Sequence, residues 1–203
     1  TGAGTVERLR NLSGTILLEW PTASGYTSAT VEVSAGQTSG WDRTSDGRAI
    51  VAYPILTAGP DQLRVETQDG PNATTFAEEI IQFGEGIAAP AVLVTPNDTL
   101  RIAYLDQETT VGTLGLWIGE RPSGGSWSTE RIADAPTGLI NPDIQLMRDA
   151  DDTMHILVGD LNVTWADQPS ALYARGMTGA SWDTQSIDKA RLSRVSLARD
   201  END

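Results

Sequence analysis

The 203-residue chain carries 28 acidic and 14 basic side chains, so its formal net charge is −14. An acidic surface of this kind disfavours nucleic acid and anionic membranes as partners. The chain has no cysteine, which excludes disulfides, a thiolate nucleophile and a cysteine-based metal site. The sequence has no run of about 18 apolar residues, so no membrane-spanning segment is predicted. We expect one domain over residues 1–203, without cofactor or metal.

One unit of about 50 residues is repeated along the chain. Its clearest marker is an aromatic residue followed five positions later by an aliphatic one. The aromatics stand 50, 51 and 55 residues apart, at Tyr26, Phe76, Trp127 and Trp182. Because a period of this length is typical of propellers and solenoids, the repeat predicts the architecture before any single residue does.

Each unit is predicted to form four β-strands, because β-branched and aromatic runs alternate with Gly, Asn, Asp and Pro turns. No window favours a long amphipathic helix. In chain order the predicted strands cover residues 5–10, 15–19, 27–33, the strand at Trp41, 50–53, 63–67, 76–81, 91–94, 100–104, 114–118, 127–132, 144–148, 154–158, 172–174 and 182–187.

The two ends of the chain together make up one unit. The C-terminal residues Leu197-Ala198-Arg199-Asp200 repeat Leu146-Met147-Arg148-Asp149 and so supply the first strand of a unit. Residues 5–10, near the N-terminus, align with the second strand of a unit. This predicts an all-β propeller of four four-stranded blades, in which residues 192–199 pair with residues 5–10 and close the ring. A fragment of a longer propeller and a dimer forming one larger ring are the alternatives.

The turns between third and fourth strands point to a family. Gly124-Gly125-Ser126-Trp127 and Gly179-Ala180-Ser181-Trp182 keep the second half of the motif Ser-x-Asp-x-Gly-x-x-Trp. With these degenerate repeats the chain resembles the sialidase-like, Asp-box (BNR) propellers. The aspartate of the motif is replaced by Pro122 and Met177. The resemblance implies the fold, and a fold alone does not specify an activity.

No catalytic residue stands out. His155, the only histidine, alternates with core positions on a predicted strand and is expected to pack within its blade. A sialidase signature Arg-Ile-Pro is absent, and no nucleophile motif is present. The acidic segments 149–152 and 200–203 offer oxygen ligands for Ca²⁺, but they align with hairpin turns, which favour the same residues.

The sequence therefore favours a non-enzymatic, extracellular or periplasmic propeller that binds a glycan or a protein. Two other functions stay open: a sialidase-like glycoside hydrolase, and a structural subunit of a surface assembly. A homo-oligomer also stays open.

The loops indicate which end of the ring should be functional. Turns after the first and third strands form a short-turn end with a repeated pattern. Loops between second and third strands, and connections between blades, form a long-loop end that varies from unit to unit. Because function tends to lie on variable loops of a rigid scaffold, we expect a ligand or partner near Asp106, Asp160 and Trp165, with Arg43 lining the channel.

Overall fold

The computed structural model describes residues 8–11, 15–22, 25–32, 38–107, 113–136, 138–139, 141–160 and 171–187. These residues form β-structure and turns, with no helix long and apolar enough to cross a membrane. The strands of this part of the chain are β1 (Arg8–Asn11), β2 (Thr15–Thr22), β3 (Gly25–Glu32), β4 (Gly40–Arg43), β5 (Ala49–Ile55), β6 (Asp61–Gln68), β7 (Phe76–Val94), β8 (Leu100–Gln107), β9 (Leu114–Arg121), β10 (Ser128–Asp134), β11 (Pro142–Arg148), β12 (Met154–Asp160), β13 (Ala171–Gly176) and β14 (Asp183–Ile187).

The strands pair antiparallel in chain order, as predicted for blades. The sheets are β1–β2–β3, β4 to β10, and β11 to β14. The seven-stranded sheet consists of two blades that share β7, which pairs with β6 through its first half and with β8 through its second half.

β7 is longer than the sequence predicted. Separate strands over 76–81 and 91–94 were expected, whereas one strand of 19 residues spans both. Its bend lies where the pairing with β8 shifts register, and Gly86 and Ala89 have φ values of 70° and 51° there. Ala89 in the left-handed region is unusual for a residue with a Cβ, so the continuous strand is held by its neighbours on both sides.

Apolar clusters lie between consecutive blades and form the core. The first joins β2 and β3 to β5 and includes Trp20, which is 2% exposed. The second joins β5 and β6 to β8, with Trp117 packed against it. The third joins β8 and β9 to β12 and β13. Trp20 and Trp117, which both lie on third strands, therefore pack between blades.

The hairpins at the short-turn end share one hydrogen-bonding device. A side-chain oxygen at the first turn residue accepts the backbone N–H four residues later, at Thr44, Thr95 and Asp149. The residue after the turn's tip has positive φ, at Gly47, Asp98 and Asp152. The acidic segment 149–152 is therefore a hairpin turn whose carboxylate at Asp149 stabilises the backbone.

The repeated tryptophans tie each blade to the one before it. The Trp127 indole N–H donates to Glu79 Oε2 over 2.8 Å, and the Trp182 indole N–H donates to Glu130. Glu130 also accepts the Gly179 backbone N–H over 2.7 Å. Each glutamate stands three residues after the aromatic of its own unit. The indole N–H of one unit therefore donates a hydrogen bond to the glutamate carboxylate of the unit before it. Both tryptophans therefore have a structural role.

Ring closure is not decided by the described strands. In that part of the chain, β11–β14 does not pair with β1–β3, so the sheets are not closed. Residues 192–199, Thr1 and Asp203, on which the prediction of closure rests, lie outside the described residues. Strands β1, β2 and β3 form at the predicted second, third and fourth positions of the split unit.

The tie between blades is testable at Glu130. Glu130→Ala leaves the Trp182 and Gly179 N–H groups without their acceptor, and we expect the free energy of unfolding to fall by about 1–2 kcal/mol. Glu78→Ala is the control, because the Glu78 carboxylate makes only an exposed ion pair with Arg64 and should cost under about 1 kcal/mol. Urea denaturation of both variants measures the difference. Equal losses would show that the Trp182–Glu130 contact adds nothing.

Candidate functional site

A groove lies between the first strands of three consecutive blades. It is lined by residues 38–41 at β4, 89–92 on β7 and 143–146 on β11, and its volume is about 530 Å³. Because these strands begin their blades, the groove follows the axis around which the blades are arranged. Its volume falls in the range of about 300–1,000 Å³ that is common for small-molecule sites.

The groove combines an aromatic ring with polar side chains. Trp41 lines it from β4, and Asp143 and Gln145 line it from β11. Thr38 marks its long-loop end, where the Thr38 hydroxyl accepts the Ala89 N–H over 3.1 Å. A groove lined by both an aromatic ring and a carboxylate suits a ligand that has both apolar faces and hydroxyl groups.

Arg43 is the last residue of β4, at the short-turn end of the blade. Residues 41 and 43 lie on the same side of β4, because side chains alternate along a strand. The Arg43 guanidinium carbon lies 5.4 Å from the centroid of the Trp41 ring, which is within cation–π distance. The structure therefore separates Arg43 from Asp106 and Asp160, which lie at the long-loop end.

Asp106 is buried at the end of β8, with 4% exposure. It accepts the Glu85 backbone N–H over 3.1 Å and the Gln82 side-chain N–H over 3.4 Å. Burial raises the pKa of the Asp106 carboxyl, and the nearby Asp61 raises it further, against the lowering effect of these hydrogen bonds. A Cβ on Gly84 would lie 2.1 Å from the carboxylate, so only glycine fits beside it.

Asp160 occupies the same position in the next blade. It ends β12 with 5% exposure and accepts the Asn141 backbone N–H over 3.2 Å. Glu85 and Asn141 both lie where the chain enters the first strand of a blade. Asp106 and Asp160 thus hold equivalent connections in place, and neither is among the described residues that line the groove. The third residue predicted at this end, Trp165, lies outside the described residues.

Sequence reasoning missed a chain of hydrogen bonds on the last blade. His155 Nδ1 lies 2.6 Å from the Tyr173 hydroxyl, and His155 Nε2 lies 3.2 Å from Asp149 Oδ2. Burial alone would raise the pKa of Asp149, but the hydrogen bonds from His155, Thr153 and Asp151 lower it. His155 was expected to be a packing residue; its ring instead joins a turn carboxylate to a phenol. No local motif signals this, because Tyr173 comes from the next strand.

No family model matches the sequence, and no curated protein matches it either. The solved structures that are similar to this chain include the following two. An endo-arabinase from Bacteroides thetaiotaomicron shares 10% identity at a TM-score of 0.46, with 85% of this chain and 74% of that chain covered. A bifunctional GH43-CE protein from Bacteroides eggerthii shares 10% identity at a TM-score of 0.49, with 91% of this chain and 27% of that chain covered.

The chain has a β-propeller fold. The prediction of a non-enzymatic binding protein is corrected, because both similar structures are of glycoside hydrolases and go against it. That prediction relied on a missing arginine signature and a missing nucleophile motif. Such signals mark particular chemistries, whereas glycoside hydrolysis by two carboxyl groups needs no local motif. A likeness at this identity concerns the fold alone, and neither structure supports the finer resemblance to Asp-box repeats.

The raised pKa of Asp106 predicts a pH dependence of stability. In the folded protein the Asp106 carboxyl keeps its proton above the ordinary pKa of 3.8. In the unfolded chain it has released that proton at the same pH. The protonated Asp106 carboxyl therefore contributes fully to the free energy of unfolding below its pKa in the unfolded chain. This contribution is lost as the pH rises through its pKa in the folded protein. Asp106→Asn cannot ionise, so its melting temperature relative to wild type should rise as pH increases.

Thermal unfolding from about pH 4 to pH 7 tests this dependence. Asp183→Asn, on the exposed strand β14, is the matched control, and its difference from wild type should change much less with pH. A pH-independent difference for Asp106→Asn would contradict the assignment.

Proposed function

We propose that this propeller is a glycoside hydrolase and that the groove between β4, β7 and β11 binds its sugar chain. The supporting observation is that Trp41 and Asp143 line the same groove of about 530 Å³. Sugar rings present apolar C–H faces that pack on aromatic rings, while their hydroxyl groups bond to carboxylates and amides. Trp41, Asp143 and Gln145 are the side chains with that chemistry in the groove.

Hydrolysis of a glycosidic bond uses two carboxyl groups on opposite sides of the bond, one as acid and one as base or nucleophile. Asp143 is the acidic side chain among the described residues that line the groove, and we assign it to this pair. The second carboxyl group has to come from another part of the groove wall. Asp106 is not assigned to the pair, because its carboxylate is enclosed by Gln82, Gly84 and Glu85.

The sugar specificity forms a finer part of the proposal. The degenerate Asp-box repeats favour a sialidase-like enzyme, whereas the name endo-arabinase describes an enzyme acting on arabinan. Sialosides and arabinan are therefore the first substrates to compare. An extracellular or periplasmic location belongs to the same proposal, since such polymers lie outside the cytoplasm.

The hydrolase proposal predicts turnover that depends on Asp143. Purified protein should release sugar from one member of a panel of sialosides, arabinan and other plant and bacterial polysaccharides. Asp143→Asn should lower kcat/KM by about 100-fold or more, as expected for loss of an acid–base group. Trp41→Ala should raise KM, because it removes the surface on which the sugar packs. Asp183→Asn should leave kcat/KM unchanged.

Two results would contradict this assignment. Absence of turnover on every member of the panel would remove the enzyme proposal. Turnover that Asp143→Asn leaves unchanged would remove the groove as its site. The melting temperatures of the variants separate either result from a failure to fold.

We also propose that four blades close into a ring, with residues 192–199 as the first strand of the blade that contains β1. Burial on the last blade supports this. Leu157 and Ala171 are 8% and 0% exposed, although the described residues clustered with them all come from β12, β13 and β14. An apolar sheet face needs a cover, and the split blade is the element that a closed ring would place there.

The closure proposal predicts one pairing. Leu157 of β12 pairs with Gln145 of β11, and repeat alignment makes Leu9 and Ser196 the equivalent positions. The chain lacks cysteine, so Leu9→Cys with Ser196→Cys should form a disulfide on mild oxidation, since paired residues have suitable Cα separations. Leu9→Cys with Arg199→Cys is the off-register control. Cross-linking of the control alone, or of neither variant, would contradict closure.

A further inference from the structure

A second cavity lies at the short-turn end of the channel. Its volume is about 360 Å³, and it is lined by the ends of β4, β7 and β11 together with their turns. Arg43 and Arg148 contribute the charged side chains, and no acidic residue is among the described residues that line it. This is unexpected in a chain with a net charge of −14.

The two arginines occupy the same position of the repeat. Each is the last residue of the first strand in its blade, directly before the turn residues Thr44 and Asp149. Arg199 has this position in the sequence copy at residues 197–200, and Val94 has it in the remaining unit. Equivalent positions of successive blades surround the axis of a propeller. The described strands β4 and β11 therefore each bring an arginine to one mouth of the channel.

The two guanidinium groups have few carboxylate partners among the described residues, and the nearby Asp98 carboxylate binds Ser45 instead. Among the described residues, no carboxylate lies within ion-pair distance of Arg43, whose guanidinium is instead placed over Trp41. Arg148 lies 3.5 Å from Asp152, but both oxygens of that carboxylate already accept hydrogen bonds of 2.8 Å from Arg101. The cavity thus contains guanidinium N–H donors with bonding capacity to spare.

We propose that this mouth is an oxyanion-binding site formed by Arg43 and Arg148. The ligand class is a carboxylate, sulfate or phosphate group, because its paired oxygens match the planar fork of a guanidinium. The anion has two conceivable sources, a free inorganic ion and an acidic group on a sugar polymer. Arg148 lies at the opposite end of β11 from Asp143, and binding of a simple anion can be measured without any hydrolysis.

Binding of simple anions to the full chain tests the proposal. Sodium sulfate and sodium phosphate are titrated by isothermal calorimetry at constant ionic strength, with chloride as the balancing ion. Arg43→Gln and Arg148→Gln should each raise Kd about tenfold, the loss expected for one charge-assisted hydrogen bond. Arg64→Gln is the control, because Arg64 pairs with Glu78 on the outside of a blade and should leave Kd unchanged.

A second titration separates the two sources of the anion. Oligogalacturonide and a neutral oligosaccharide of equal length are compared on wild-type protein. Binding of oligogalacturonide that both glutamine variants weaken identifies a sugar-borne carboxylate, whereas binding of sulfate or phosphate alone identifies a free ion. No binding of any of these anions, or equal losses in Arg64→Gln, would overturn the proposal.

Lysine variants guard against a loss of folding. Arg43→Lys and Arg148→Lys retain the charge without the fork, so their Kd should lie between wild type and the glutamine variants, with unchanged melting temperatures. Lysine variants that bind as tightly as wild type would show that the fork is not used and would overturn the geometry proposed.

Discussion

The packing of one sheet face on the next is the interaction on which the rest of this structure depends. A four-stranded antiparallel sheet with apolar residues on both faces is not stable alone, because each face needs to leave water. In this protein each sheet face packs against the face of the next sheet along the chain. Trp20 is buried between the first two sheets, and Ile102 and Ile156 are buried at the two following interfaces. Burying one such side chain contributes about 1.5–3 kcal/mol, which outweighs the polar ties at the blade edges.

This stacking separates structural positions from positions open to a ligand. Second strands lie between two neighbours, and β8 is buried along nearly its whole length. First strands have one side towards the axis, and β4 is only half-buried throughout. Trp41, Arg43 and Asp143 all lie on first strands. A polar or aromatic side chain on such a strand reaches the channel, whereas Asp106 and Asp160, on second strands, serve the backbone of their own blades.

Repetition made the fold predictable, since each unit repeats the same strand order and one weak signal is seen several times. The strand positions and the order of the strands within each blade followed from it. The continuity of β7 did not, because Gly86 and Pro90 are residues that usually interrupt a strand. Sites were harder to predict. The contact of His155 with Tyr173 joins residues of different strands, and the groove joins three blades. Because the residues of this contact and of the groove are far apart in the sequence, no short sequence motif indicates either of them.

The continuous strand β7 also affects how this domain unfolds. Its first half is the outermost strand of one blade and its second half is the innermost strand of the next. Where adjacent blades are joined only by a loop, opening one blade need not disturb the backbone hydrogen bonds of its neighbour. Here a single strand belongs to both blades, and its pairing with β8 shifts register at the bend. We therefore expect the two blades to unfold together as one cooperative unit.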